Sequence, residues 1–192
     1  MKKDDPRFIK SHDSIKNAFW LLMRDKGFQQ MSATDIIKLA DVNRSTFYAH
    51  YIDKYDLLDQ AEDELFNNLK SITNQNIDSI TLSGDIGNSL SDYFKQLINF
   101  IYDNKDTFSL LFGPNGDPNF SSRLHTEIKE FRAANGIEIG TSFPENYTQA
   151  VILGGMSNLI AEWVKSDFNE PPEKFAEIVK GLLIPLYKEI LQ

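Results

Sequence analysis

The chain has 192 residues, of which 41% are hydrophobic and 25% charged, a composition ordinary for a globular protein of one or two domains. It contains no cysteine, which excludes disulfides and thiolate metal sites, and it has no run of ~18 apolar residues that would cross a membrane. No apolar stretch typical of a secretory signal follows the N-terminal lysines, so we expect a cytoplasmic protein without membrane association.

Charge is distributed unevenly along the chain. Residues 1–54 carry ten Lys and Arg against seven Asp, a net charge of +3, whereas residues 55–192 carry ten against 21 acidic residues, a net charge of -11. Surface charges interact mainly within a Debye length of ~8–10 Å, so the basic part can approach phosphates although the whole chain is acidic. The asymmetry is compatible with a DNA-binding head on an acidic body.

Apolar residues recur every three or four positions in the N-terminal part, which predicts helices. The first helix has an apolar stripe of Phe8, Ile15, Phe19 and Leu22. Gly27 is expected to end it in a left-handed cap, and two short helices are predicted at 33–40 and 44–51. A longer helix is predicted from Lys54 to about residue 78.

The C-terminal part shows the same periodicity, interrupted at a candidate domain joint at 81–88. Helices are predicted at 89–104, 105–112, 119–134, 145–166 and 173–191, with a turn at 113–118 and a loop at 136–144. Pro185 should kink the last helix because it has no amide hydrogen. With no strand-type alternation, the predicted fold is all-α, with about nine helices in an N-terminal helix-turn-helix domain (9–69) and a C-terminal helical bundle (82–192).

The segment 32–51 has the pattern of a helix-turn-helix. Ser32 is placed to cap the first short helix, with Asp35 favoured by the helix dipole, and Asn43 is placed to cap the second. Val42 is the apolar plug in the turn between the two helices. The second helix then opens with polar side chains, which in such motifs reach base edges in the major groove.

Arginine bonds guanine bidentately, and hydroxyls and lysines bond phosphates, so this polar face predicts DNA contact. Lys54 starts the next helix, where the ammonium and the helix dipole both favour a phosphate. His50 fits either a DNA contact or a local hydrogen bond. The predicted DNA-contacting residues are Ser32, Thr34, Asn43, Arg44, Ser45, Thr46, Tyr48, His50 and Lys54.

The segment resembles the DNA-binding signature of TetR-type transcription regulators. The matching residues are Asp35, Ile36, Ala40, Val42, Thr46, Tyr48, His50, Lys54 and Leu57. The chain departs from the signature at four positions: Ile37 replaces a small residue, Asp41 a turn glycine, Asn43 a serine, and Ser45 a glycine or alanine. Asp tolerates the left-handed backbone that the turn needs.

The resemblance implies a homodimer that reads a palindromic operator in double-stranded DNA and responds to a small-molecule effector in the C-terminal domain. Residues 147–166 and the helix that follows also resemble C-terminal domains common in TetR-type proteins of Gram-positive bacteria. The expected dimer-interface residues are Val151, Gly154, Gly155, Leu159, Ile178, Leu182 and Leu186. The candidate effector-binding residues are Phe94, Tyr102, Phe108, Phe131 and Trp163, although aromatics at helical spacing equally form plain core.

Three alternatives remain open at the level of sequence. A coactivator of the same fold would answer to a protein partner instead of a small molecule, and an interaction module would have lost DNA binding. An enzyme is disfavoured because no phosphate-binding loop and no nucleophile elbow occurs. No cofactor is expected, and no metal site, since none of the three histidines has a carboxylate or histidine four positions away.

Overall fold

The computed structural model describes residues 5–82, 86–114, 116–134 and 144–190, and within these it gives the backbone alone at 80–82, 86, 128, 131–133, 145, 149, 153 and 186–190. The described residues form nine helices and no strand, which confirms the all-α prediction. The helices are α1 (Pro6–Lys26), α2 (Ala33–Leu39), α3 (Arg44–His50), α4 (Lys54–Leu82), α5 (Ile86–Asp103), α6 (Lys105–Phe112), α7 (Phe120–Ala134), α8 (Glu145–Lys165) and α9 (Pro172–Ile190).

The helix α4 runs further than its apolar stripe predicts, from Lys54 to Leu82. Its polar second half is stabilised by tertiary contacts, because Asn76 and Gln96 of α5 exchange two amide hydrogen bonds of 3.1 Å. Because α4 ends at Leu82 and α5 begins at Ile86, both helices reach into the predicted joint at 81–88. The division into domains at 9–69 and 82–192 stays a prediction, and most of the predicted loop at 136–144 lies outside the described residues.

The N-terminal helices form a head around a small apolar centre. Ile15 and Phe19 of α1, Ile36 of α2 and Phe47 of α3 are fully buried there. Gly27 ends α1 with a φ of 79°, and its amide donates to the Met23 carbonyl. Its ψ of 156° differs from the left-handed helical cap that was predicted, but the positive φ still suits a residue without a Cβ.

The C-terminal helices form the body, in which α5 packs between α4 and α9, and α8 packs on α9. The apolar core is continuous from the head into the body. The core of the body contains a group of aromatic rings: Trp163 stacks on Phe175 at 4.1 Å and meets Phe168 edge-on at 4.8 Å. The Trp163 indole also donates to the Glu170 carbonyl.

The turn between α8 and α9 contains two consecutive non-glycine residues with positive φ, Asp167 at 55° and Phe168 at 54°. Left-handed backbone costs an L-residue roughly 1–2 kcal/mol. The Phe168 ring is buried against Trp163, and its amide donates to the Trp163 carbonyl. Packing of the ring therefore stabilises an otherwise unfavourable backbone.

An arginine clamp joins the body to α4. Arg123 of α7 donates to Glu62 at 2.6 Å and to Asp63 at 2.7 Å, and lies 3.0 Å from Asp59. Glu62 is fully buried, and its Oε1 has no hydrogen-bond partner. Burial raises the pKa of Glu62 to about 7 against the attraction of Arg123, and the neighbouring Asp117 and Asp59 add to the rise.

Candidate nucleic-acid interface

A capping box begins α2. The Ser32 hydroxyl accepts a hydrogen bond from the Asp35 amide at 3.2 Å, and the Asp35 carboxylate accepts one from the Ser32 amide at 2.9 Å. The Ser32 hydroxyl also donates to the Asp35 carboxylate at 2.7 Å; this bond, then the one from the Ser32 amide, and a weaker contribution from Lys26 lower the pKa of Asp35 to about 2. The predicted Ser32 cap is confirmed, and both Ser32 and Thr34 are exposed at the start of the helix.

The turn of the motif follows the expected backbone but not the expected cap. Asp41 has a φ of 51°, as predicted for the position where the signature has glycine. Asn43 occupies the N-cap position of α3, but its side chain makes no capping hydrogen bond, so that prediction was wrong. Only its carbonyl is used, accepting from the Thr46 and Phe47 amides while the side chain lies exposed.

The helix α3 has one buried side and one exposed polar side. Phe47 is fully buried, whereas Arg44, Ser45 and Tyr48 are exposed and Thr46 is half-buried. The Arg44 guanidinium lies 3.5 Å from the Tyr48 hydroxyl and 5.4 Å from the ring centre, so the two side chains share one face. This face offers guanidinium and hydroxyl donors to the outside, as base and phosphate recognition requires.

His50, at the C-terminal end of α3, is held against α1. Its Nε2 makes a 2.7 Å hydrogen bond with the Ser11 hydroxyl, and its ring lies 3.8 Å from that of Phe8. Burial, aided by the charge of the nearby His12, lowers the pKa of His50. The geometry favours the local hydrogen bond over the DNA contact. No local pattern indicates Ser11 as the partner of His50, because the two residues lie 39 positions apart.

Lys54, at the start of α4, also turns inward. Its ammonium donates to the carbonyls of Phe28, Gln29 and Met31 at 2.9, 3.3 and 2.9 Å. The geometry does not favour the predicted phosphate contact, which remains untested. Asp53, which sequence reasoning passed over, caps α4 by accepting from the Tyr55 and Asp56 amides at 2.8 and 2.9 Å. Its position one residue before the helix is a typical capping signal.

The candidate effector residues lie mainly in the core. Phe94, Phe108 and Trp163 are buried, Tyr102 is half-buried, and the Phe131 side chain lies outside the described residues. A cavity of about 210 Å³ between α5 and α9 is lined by other residues, including Lys95, Asn99 and Glu173. The assignment of the five candidate aromatic residues to an effector pocket therefore stays a prediction.

The candidate dimer residues divide between an exposed face and the interior. Val151 and Leu182 are exposed, and a Cβ added at Gly154 would meet no atom within 4 Å. Gly155 instead lies against Leu183 of the same chain, 3.3 Å from where its Cβ would be. Leu159 and Ile178 are half-buried, and the Leu186 side chain is outside the described residues.

Two negative findings concern the described part of the chain. None of its helices is long and apolar enough to cross a membrane. Within the same residues, no three His, Cys, Asp or Glu side chains are grouped so that they could hold a metal ion.

Two protein families match the chain. The family described as bacterial regulatory proteins, tetR family, matches residues 20–61, which include the helix-turn-helix. The family described as transcriptional regulator C-terminal region matches residues 88–185, half of the chain. The chain belongs to the TetR family. The family match confirms the predicted resemblance of the DNA-binding segment to TetR-type regulators. It also confirms that the protein is a DNA-binding transcription regulator.

Solved structures of TetR-family proteins share the fold at low sequence identity. A TetR transcriptional regulator from Streptococcus agalactiae is 23% identical over 93% of this chain and 96% of its own, with a TM-score of 0.67. NalD of Pseudomonas aeruginosa, the secondary repressor of a multidrug efflux pump, is 17% identical over 100% and 99%, with a TM-score of 0.64. Thermus thermophilus FadR, a transcriptional repressor in complex with lauroyl-CoA, is 20% identical over 91% and 93%, with a TM-score of 0.54. A comparison with curated proteins finds no match.

Proposed function

We propose that this TetR-family protein is a ligand-responsive repressor that binds a palindromic operator as a homodimer in the cytoplasm and catalyses no reaction. The observation that carries the DNA-binding part is the exposed polar face of α3, backed by the buried Phe47. Arg44 and Tyr48 are the proposed base-reading residues, with Ser45 and Thr46 beside them. Ser32 and Thr34 at the start of α2 are the proposed phosphate contacts.

The repressor and effector parts rest on structural relatives. NalD and Thermus FadR are repressors, and FadR was solved with lauroyl-CoA. The buried aromatic rings of the body could accommodate an apolar effector if they rearranged around it, which would shift the protein between two conformations.

The homodimer part rests on the outer face of α8 and α9. Three large apolar side chains are more than half exposed there, Tyr147 at 67%, Leu182 at 59% and Val151 at 51%. Gly154 and Gly181 leave open space on the same helices. An exposed apolar surface with room for close helix approach is typical of an interface between subunits.

The test of DNA binding begins with a duplex selected from genomic fragments by the unaltered protein. Replacing Arg44 by Ala should weaken binding by ~1–3 kcal/mol, roughly 5- to 150-fold, and relax the preference at one base position. Affinity is measured by gel-shift titration at fixed salt concentration.

The matched control is Lys165→Ala, which removes an exposed cation from α8 and should leave affinity unchanged. Equal affinity of the Arg44 variant and the control would contradict the assignment of α3 as the reading helix. Failure to select any duplex at low salt would contradict DNA binding itself.

A further inference from the structure

We infer that Lys54 is a positioning residue that orders the connection between α1 and α2, and that it does not contact a DNA phosphate. The inference rests on the proposed DNA binding for its functional consequence, but its structural part stands on contacts within the head. The sequence predicts a phosphate contact for Lys54 because the residue stands at the start of a helix.

The Lys54 ammonium has as many hydrogen-bond acceptors around it as it has donors. A lysine ammonium has three N–H donors and no acceptor. Here the Nζ of Lys54 has three acceptors, the carbonyls of Phe28, Gln29 and Met31, at 2.9, 3.3 and 2.9 Å. A phosphate could be bound only by giving up one of these bonds, which would leave a carbonyl without its charged donor.

The surroundings of the ammonium also suit a cation that stays in place. Nζ lies 4.8 Å from the centre of the Phe28 ring and 5.2 Å from that of Tyr55. Aromatic faces attract a cation electrostatically. Phe28 is buried and packs edge-on against Phe19 of α1, so the site is anchored in the core of the head.

The backbone amides at the start of α4 are engaged as well. Asp53 accepts from the amides of Tyr55 and Asp56, and Asp56 accepts from the amide of Ile52 at 2.7 Å. These carboxylates bring negative charge to the position where the helix dipole would otherwise favour a phosphate. Neither the side chain of Lys54 nor the first turn of α4 is therefore arranged for an anion.

The position of the three carbonyls in the chain explains how Lys54 would affect DNA binding. They belong to the connection from Gly27 to Ser32, which leads directly into α2. Ser32 is the N-cap of that helix, and Ser32 and Thr34 are the proposed phosphate contacts. By joining this connection to α4, Lys54 fixes where the start of α2 meets the DNA backbone. Its loss should weaken binding through α2.

The experiment combines DNA binding with amide hydrogen exchange. Lys54→Met keeps the length and apolar stem of the side chain but removes all three donors. On the selected duplex, we expect affinity to fall about tenfold while the slope of log K against log salt concentration stays unchanged. Loss of a direct phosphate contact would instead reduce the slope by about 0.9. Both proteins are compared at a temperature where each is fully folded, with Lys165→Met as the control.

Hydrogen exchange is measured on the free protein, without DNA. We expect amides of residues 27–33 to exchange at least tenfold faster in Lys54→Met, with no comparable change in α8 or α9. Lys54→Arg serves as a second variant should the first fail to fold. It keeps the positive charge but cannot converge three donors from one nitrogen, so binding should stay weakened at an unchanged slope, with faster exchange at 27–33.

The two measurements separate the possible failures. A reduced salt slope, or full affinity in Lys54→Arg, overturns the positioning role, and so does unchanged exchange at 27–33. If the unaltered protein binds no duplex, the DNA-binding proposal fails, and the exchange data still decide whether Lys54 orders this connection.

Discussion

The head and the body of the molecule use exposed surface in opposite ways. In the head, α3 turns Arg44 and Tyr48 outward. Polar contacts of His50 tie α3 to α1, and those of Lys54 tie α4 to the connection between α1 and α2. In the body, the arginine clamp pairs Arg123 of α7 with Glu62 of α4, while α8 and α9 expose large apolar side chains such as Leu182.

The difference teaches that the two surfaces suit different partners. Polar donors on a helix backed by core can exchange water for DNA without large rearrangement, because phosphates and base edges offer acceptors. Exposed apolar side chains gain only by burial against another apolar surface. The head therefore suits a nucleic acid and the body a second copy of the chain, and the following predictions test that division.

The largest expected effect is in the aromatic core of the body. Trp163→Ala should lower the free energy of unfolding by ~3–5 kcal/mol, since it removes a fully buried side chain and leaves a cavity. The measurement is denaturant unfolding of the whole chain. Trp163→Phe should cost less, because it keeps the ring contacts and loses mainly the bond to the Glu170 carbonyl.

Trp163→Phe also tests whether this indole affects DNA binding in the absence of an effector. Measured where the variant is fully folded, its DNA affinity should be unchanged. A drop in affinity as large as that of Arg44→Ala would show that the indole hydrogen bond to Glu170 also supports DNA binding by the head.

The next effect concerns the buried carboxyl of the arginine clamp and depends on pH. The pKa of Glu62 is about 7 in the folded protein and its ordinary value is 4.5. Between these values the folded state keeps a proton that the unfolded state loses. The stability that this proton contributes is present below pH 4.5 and is lost as pH rises through 7, a fall of ~3 kcal/mol.

The variant Glu62→Gln should remove this part of the pH dependence, because its neutral amide mimics the protonated carboxyl. Unfolding free energies are compared from pH 4.5 to 8. Asp63→Asn is the matched control, since Asp63 also contacts Arg123 but is exposed. Parallel pH profiles for Glu62→Gln and the unaltered protein would show that Glu62 stays charged throughout.

The smallest expected effect tests the proposed dimer interface on α8 and α9. Leu182→Glu should weaken the proposed dimer at least tenfold, ~1.4 kcal/mol, because a two-fold interface brings the charge near its copy. Sedimentation over a range of concentrations measures the change. Leu21→Glu, an exposed leucine of α1, is the control. If both variants sediment like the unaltered protein, α8 and α9 do not form the interface.

Much of the head could be predicted because its signals are local. The cap at Ser32, the positive φ at Asp41 and the burial of Phe47 all follow from spacing within one or two helical turns. The partners of His50 and Lys54 could not be predicted, because they lie 39 and 23–26 positions away. A polar residue in a motif looks the same in the sequence whether it faces DNA or a neighbouring helix.

In the body, periodicity predicted the helices but not which of their apolar sides is exposed to solvent. Val151 and Gly155 lie four positions apart on α8, yet one is exposed and the other lies against Leu183. The clamp of Arg123 on α4 spans about 60 positions, and nothing in the local pattern pairs these charges.

The strained turn at Asp167 and Phe168 has a consequence for how such a protein can change over evolution. The turn sets the angle at which α9 leaves α8, and the buried rings around Phe168 hold it there. A substitution among those rings can therefore tilt one helix against the other and reshape the outer face of both. Partner preference can thus drift through interior mutations while every surface residue stays the same.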